Sequence, residues 1–303
     1  MKDRTITLLD TPGTCGLFCG DGTRSAGSGL RSACVSGADG VQGHTQTLWK
    51  LLKRYHIPTF LFVNKMDQEG TDGEKLLKEL RKRFGENVVP FVDIMTESDY
   101  PGGKVYLHTK ESAVEEVLEE LAVCEDDMME EYLEEGRISL DKVQKAVADR
   151  QVFPCYFGSA LNQEGIEAFL QGLEAYTESP VYPNVFGARV YKISRDPSGN
   201  RLTHMKITGG SLKVKEALFA EETNEEQKKE KVNQIRIYSG EKYELVQEAE
   251  AGTVCAVTGL SFTRPGMTLG DEKDVSAPML EPVLSYRVQY PREVDAHTML
   301  KAI

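Results

Sequence analysis

Hydrophobic positions divide this chain into two parts with different periods. Up to about residue 178, short apolar runs alternate with stretches of helical spacing. Thr5-Ile6-Thr7-Leu8-Leu9, Thr59-Phe60-Leu61-Phe62-Val63 and the run from Phe153 to Phe157 read as buried strands. His44–Tyr55 reads as a helix. Gly73–Phe84 is another, with Leu76, Leu77, Leu80 and Phe84 on one face. Glu111–Glu135 is an acidic helical stretch whose apolar residues, Val114, Val117, Leu118, Leu121 and Val123, point to a solvated amphipathic helix packed on the α/β part. Ser139–Ala148 and Gly165–Tyr176 continue the helical pattern, and Ser179-Pro180-Val181-Tyr182-Pro183 reads as a linker. From Val185 to about Ala277 the period becomes two. Ala188–Ile193 and Arg201–Ile207 alternate, Gly209-Gly210 and Ser239-Gly240 punctuate them, and a closed β-barrel is expected. A strand over Val283–Tyr290 and a helix from about Val294 begin something new.

Three turns follow apolar runs, and each carries candidate chemistry. Asn64-Lys65-Met66-Asp67 sits at the carboxyl end of its strand, where open α/β sheets bind ligands. The Asp67 carboxylate can accept from N1–H and the exocyclic amine of guanine, a donor pair that adenine lacks. The Lys65 stem can cover the base, and Asn64 can tie neighbouring loops together. Alone, these four residues are equally compatible with an ordinary polar strand end. Asp10-Thr11-Pro12-Gly13 suits a GTPase that meets Mg²⁺ through an Asp-bound water and the γ-phosphate through a Gly amide; a plain strand-to-turn ending is the alternative. Ser159-Ala160-Leu161 suits a turn whose backbone contacts the guanine oxygen. The order of the three, each after a strand, points to GTPase ancestry.

Asp39-Gly40-Val41-Gln42, Asn64–Gln68, Phe153–Gly165 and Arg201–Leu212 resemble the translational GTPases, and among them the ribosomal-protection tetracycline-resistance proteins, relatives of elongation factor G. Elongation factor G itself fits less well over Ile57–Gln68 and Phe153–Gly165. The resemblance implies a partial GTP-binding domain over 1–178, a β-barrel second domain over 185–277, and the beginning of an α+β ferredoxin-like third domain over 282–303, too short to complete it. It implies GTP or GDP with Mg²⁺ as cofactors and the ribosome as partner. It also implies nucleotide contacts from Asp10, Gly13, Asn64, Lys65, Asp67, Ser159, Ala160 and Leu161, with Asp10 serving Mg²⁺ through water.

Composition narrows the setting. A chain of 303 residues can hold about two domains. No apolar run approaches the roughly 18 residues of a membrane span, and Met1-Lys2-Asp3-Arg4 leads into a strand, not a signal peptide. A cytoplasmic, monomeric protein is expected. The net charge of −12 argues against broad attraction to free DNA or other nucleic acid.

The departures from the family matter as much. No G-x-x-x-x-G-K-[ST] occurs in these residues, so the loop whose amides cradle the phosphates is expected to be missing, with truncation at both ends. Losing four charge-assisted hydrogen bonds at roughly 1.5 kcal/mol or more each weakens nucleotide binding by on the order of 10⁴-fold. Thr14 stands where the family has the His that positions the attacking water, so no catalytic residue is assigned. Residues 14–34 show no clear period. Cys15, Cys19 and Cys34 lack the spacing and His partners of a metal site. A displacement of one base over 14–34 permits a hidden string that begins His-Val-Asp-Phe and ends Ala-Val-Leu-Val, which is the family's helix and strand. This frameshift is a hypothesis that the coding DNA decides. The Gly, Ser and Arg residues that stand there are expected to leave the α/β half poorly packed. Two functions follow: a ribosome-associated GTPase, or a non-catalytic remnant or barrel-containing ribosome-interaction fragment without GTPase activity.

Overall fold

The structure is a computed structural model. It describes residue 7 and residues 30–91, 94–97, 106–109, 115–178, 180–219 and 229–272. Asp10, Gly13 and Thr14 lie outside the described residues, as do Cys15 and Cys19, the strand expected over Val283–Tyr290 and the helix expected from Val294.

The α/β half runs β1 (Arg31–Ser36), α1 (Gly43–Arg54), β2 (Thr59–Asn64), α2 (Gly73–Phe84), β3 (Val88–Pro90), β4 (Ile94–Glu97), β5 (Tyr106–Thr109), α3 (Glu115–Ala122), α4 (Asp126–Glu135), α5 (Leu140–Ala148), β6 (Phe153–Phe157) and α6 (Ile166–Ala175). Four strands form a parallel sheet in the order β1-β2-β6-β3. β2 lies inside it and is covered on both faces, which is why it reads as an unbroken apolar run. Phe60 and Phe62 join Tyr156, Leu121, Met128 and Val143 on one face. Leu61 and Val63 join Trp49, Leu52, Leu80 and Phe84 on the other.

Helix α2 has the bounds expected from sequence. Asp72 caps it by accepting from the N–H of Lys75 at 3.1 Å, and Gly85 ends it at φ 125°. The acidic stretch differs from expectation. It forms two helices, α3 and α4, separated at Val123–Glu125. Glu125 leaves the helical conformation and its side chain accepts from the N–H of Met128, capping α4. Val123, expected on the packed face, is 70% exposed at this break.

The expectation that 14–34 lacks regular structure needs correction at its end. Arg31–Cys34 belongs to β1, paired with β2 in the register Ser32↔Phe60 and Cys34↔Phe62. Backbone pairing to a well-packed neighbour asks little of the side chains. Ser32 and Cys34 stay exposed, while Ala33 packs against the core and Val35 is buried in it. Nor is the described α/β half poorly packed, since two apolar clusters sandwich its sheet.

The second half contains β7 (Gly187–Arg195), β8 (Arg201–Gly209), β9 (Ser211–Lys213), β10 (Ala217–Phe219), β11 (Lys229–Lys231), β12 (Gln234–Ser239), β13 (Lys242–Val246), β14 (Glu248–Glu250), β15 (Val254–Thr258) and β16 (Thr268–Gly270). Six of these form an antiparallel sheet in the order β13-β12-β15-β8-β7-β16, and β9–β14 and β10–β11 form two short ribbons. This barrel-type unit encloses Val190, Met205, Ile207, Leu212, Ile235 and Val257. The alternation seen over Arg201–Ile207 places Met205 and Ile207 inward and His204 and Lys206 outward.

Candidate nucleotide-binding site

Three loops meet at the carboxyl ends of β1, β2 and β6. They are Ser36–Gln42, Asn64–Thr71 and Gly158–Gly165. Their backbones are joined directly. The N–H of Gly37 donates to the Asn64 carbonyl at 2.7 Å, the N–H of Gly158 to the Val63 carbonyl at 3.0 Å, and the N–H of Met66 to the Gly158 carbonyl at 3.1 Å.

Asn64 adds a side-chain tie. Its Oδ1 accepts from the N–H of Lys65 at 2.8 Å and from the N–H of Ala160 at 2.9 Å. One amide oxygen therefore holds the start of its own loop and the turn after β6. Lys65 is turned into the left-handed region, at φ 66°. That conformation costs a non-glycine residue about 1 kcal/mol or more and persists only where surroundings enforce it. Here the tie to Ala160 and the Met66–Gly158 bond enforce it. Lys65 and Asp67 emerge with exposed side chains.

The turn after β6 is equally constrained. Ser159 and Glu164 exchange two backbone hydrogen bonds, at 3.1 and 3.0 Å, which pinch the loop into a closed hairpin. A β-carbon on Gly158 would overlap the Glu164 carbonyl oxygen, so the close approach requires glycine. Ser159 is 1% exposed and its Oγ accepts from the N–H of Asn162 at 3.3 Å. Leu161 points outward and is 86% exposed. Of the residues singled out in the sequence, Asn64, Lys65, Asp67, Ser159, Ala160 and Leu161 thus lie on two adjoining loops. Ser159 faces the interior of its own hairpin, and the Ala160 N–H is engaged by Asn64.

The exposed Asp67 carboxylate and Lys65 stem suit a planar base whose edge carries two donors. Asp10 and Gly13, expected at Mg²⁺ and phosphate, lie outside the described residues, so the fit concerns the base alone. Among the described residues no group of three or more His, Cys, Asp or Glu side chains could hold a metal. Burial pushes the Cys155 thiol of β6 up to about 12, which keeps it protonated and inert at neutral pH. Two contributors to this site were not evident in the sequence. Gly37 anchors the Asn64 carbonyl through its backbone, and Thr71 bonds the loop that carries Asp67. Only spacing could have pointed to Thr71, a hydroxyl four residues after Asp67 and one before the α2 cap.

Residues 1–179 match the model of the elongation factor Tu GTP binding domain, and residues 185–272 match elongation factor G domain 2. Among curated proteins, the chain is 29% identical to elongation factor G of Mycoplasma pneumoniae and 27% identical to that of Mycoplasma genitalium, covering all of this chain and 51% of each relative. Elongation factor G of Ureaplasma parvum is 26% identical with the same coverage. The chain spans about half the length of the curated relatives it matches. A crystal structure of a protein from Thermus thermophilus superposes with a TM-score of 0.64 at 22% identity, covering 82% of this chain and 41% of that one, and supports the fold. No helix among the described residues is long and apolar enough to cross a membrane. With more than half of its length matched, the chain belongs to the family of the elongation factor Tu GTP-binding domain, joined here to a barrel of the elongation factor G domain 2 type.

Proposed function

We propose that the loops after β2 and β6 read the guanine base of GTP or GDP in an elongation factor G-like translation factor that acts on the ribosome in the cytoplasm. The observation that carries this reading is the single oxygen of Asn64, which locks the N-K-x-D loop to the Ser159-Ala160 turn. Guanine N1–H and its amine donate to Asp67, and the Lys65 stem lies over the ring. Mg²⁺ and the γ-phosphate would engage Asp10 and Gly13. When bound, the metal supplies charge neutralisation at the phosphates. The proposed division is 1–178 for the nucleotide domain, 185–277 for the barrel and 282–303 for the start of a third, ferredoxin-like domain. We further assign the chain to the ribosomal-protection, tetracycline-resistance type, on sequence likeness at Ile57–Gln68 and Phe153–Gly165. A monomer that ignores free DNA completes the proposal.

Thr14 favours a second reading in which the chain binds but does not hydrolyse. A threonine after D-T-P-G cannot orient water as the family's His does.

Both readings are tested by titrating GDP and ADP into the isotopically labelled chain. GDP should perturb the amides of Asn64–Thr71 and Gly158–Glu164, ADP should not, and Asn64→Ala should abolish the difference. Equal responses to both nucleotides, or none, would defeat the guanine reading. Phosphate release from GTP with added ribosomes separates the two functional readings. Ribosome cosedimentation that tetracycline weakens supports the ribosomal-protection assignment, and cosedimentation indifferent to the drug refutes it.

A further inference from the structure

We infer that Thr71 is a positioning residue for the base reader, an inference that rests on the guanine reading of Asp67. The Thr71 Oγ1 lies 2.9 Å from the Met66 carbonyl and 2.9 Å from the Gln68 carbonyl. These carbonyls belong to the residues on either side of Asp67, and the Met66 carbonyl lies in the peptide bond that leads into it. The N–H of Thr71 also donates to the Gln68 carbonyl at 3.3 Å, and the N–H of Gln68 to the Lys65 carbonyl at 3.2 Å. Asp67 thus sits at the crest of a loop whose two shoulders are held by one hydroxyl.

The arrangement acts from the far side of the loop relative to Asn64. Asn64 fixes where the loop leaves β2. Thr71 fixes where it returns, immediately before Asp72 caps α2. With both ends held, and the Gln68 N–H bonded to the Lys65 carbonyl, the backbone that carries Asp67 is restrained on both sides, which narrows the positions from which its carboxylate projects. A carboxylate that must take two parallel hydrogen bonds from a flat base edge needs alignment to about 0.5 Å. The hydroxyl has one proton and two acceptors, so it donates to the carbonyls in turn or shares its proton between them. A valine of the same shape keeps the packing and loses both bonds.

The inference predicts a loss of discrimination, not merely of affinity. Hypoxanthine nucleotides lack the exocyclic amine of guanine, so the ratio of GDP to IDP affinity reads how well Asp67 meets that amine. In Thr71→Val, hydrogen exchange of the Lys65–Thr71 amides in the nucleotide-free chain should quicken by about tenfold, the equivalent of one hydrogen bond. The GDP-to-IDP ratio should fall toward one. Thr71→Ser should restore both, and Thr71→Ala should behave as the valine variant if that one folds poorly. The urea midpoint followed by Trp49 fluorescence should stay near that of the unsubstituted chain. Unchanged exchange and an unchanged ratio in Thr71→Val would overturn the inference, as would a serine variant that fails to rescue. If the unsubstituted chain does not tell GDP from ADP, the guanine reading fails, and the exchange rates still decide whether the hydroxyl holds the loop.

Discussion

Tyr156 of β6 carries a hydroxyl that is buried and, among the described residues, without a hydrogen-bond partner. Its ring belongs to the larger apolar cluster and packs edge-on to Phe169 at 5.5 Å. Burial, together with the neighbouring Tyr176 and Cys155, pushes its pKa upward, so it stays neutral. Burying an unpaired hydroxyl costs about 1–3 kcal/mol in proteins. Tyr156→Phe removes that cost and leaves the ring contacts intact, so the α/β half should gain about 1–2 kcal/mol. The same hydroxyl explains Gly172 of α6. A β-carbon there would overlap the Tyr156 Oη and come within 2.6 Å of its Cζ. Gly172→Ala gains about 1 kcal/mol of helix propensity. It also forces a methyl into a filled site, at about 1–3 kcal/mol and occasionally more. The overlap with the Oη is severe, which puts the cost at the upper end, about 2–3 kcal/mol, so the net effect should be destabilising by about 1–2 kcal/mol. Without the hydroxyl the clash is relieved only in part, so the two substitutions should couple by about 0.5 kcal/mol or more. Trp49 is the single tryptophan of the chain and lies in the α/β half, so its fluorescence during urea unfolding reports on this half. A clear loss of stability in Tyr156→Phe would show that the hydroxyl has a partner, such as a buried water, and would refute the reasoning. So would a Gly172→Ala variant as stable as the unsubstituted chain.

Two further outcomes are expected. Arg150 lays its guanidinium over Trp49 at 5.2 Å and Phe153 at 4.9 Å and donates to the Ile57 carbonyl and, at 2.8 Å, to Thr59 Oγ1. Burial lowers its pKa to about 10, so the charge persists at neutral pH. Arg150→Met should cost about 1–3 kcal/mol and alter Trp49 emission, and Arg150→Lys should rescue poorly because it lacks the planar fork; a methionine variant with the original urea midpoint would contradict this. In the barrel, His204 packs between Tyr191 and Tyr238 and shares a 2.8 Å hydrogen bond with Ser194 Oγ. Burial first, and the Lys192 charge second, lower its pKa below the ordinary value. The unfolded chain therefore takes up the proton more readily, so the stability from neutral His204 is complete above about pH 6.5 and is lost as pH falls from there through the lower folded value. Barrel unfolding by near-ultraviolet circular dichroism should show a stability drop on acidification that is smaller in His204→Gln; identical pH profiles would count against it.

The elements legible in the sequence are those whose signals are local. Helix α2 lies between Asp72 and Gly85 because a side-chain cap and a glycine stop act within one turn. Strand β2 was legible because burial on both faces demands an apolar run. The break between α3 and α4 was not, because Glu125 favours a cap over continued helix only where Met128 and Leu121 must both reach the core. Strand β1 was hidden because its pairing uses backbone atoms and its side chains carry little of the pattern.

The same division holds at the site. The order of apolar strand and polar turn, read from residues alone, determined that Asn64, Lys65, Asp67 and Ser159-Ala160 lie on loops at one edge of the sheet, since a parallel strand delivers its next residues to that edge. Only the tertiary structure decided that one Asn64 oxygen joins two loops separated by 96 positions in the chain, that Thr71 spans the carbonyls around Asp67, and that Gly172 makes room for Tyr156. Hydrogen bonds and close contacts depend on distances of a few tenths of an ångström. Those distances exist only after β2 and β6 have paired and the helices have packed against them.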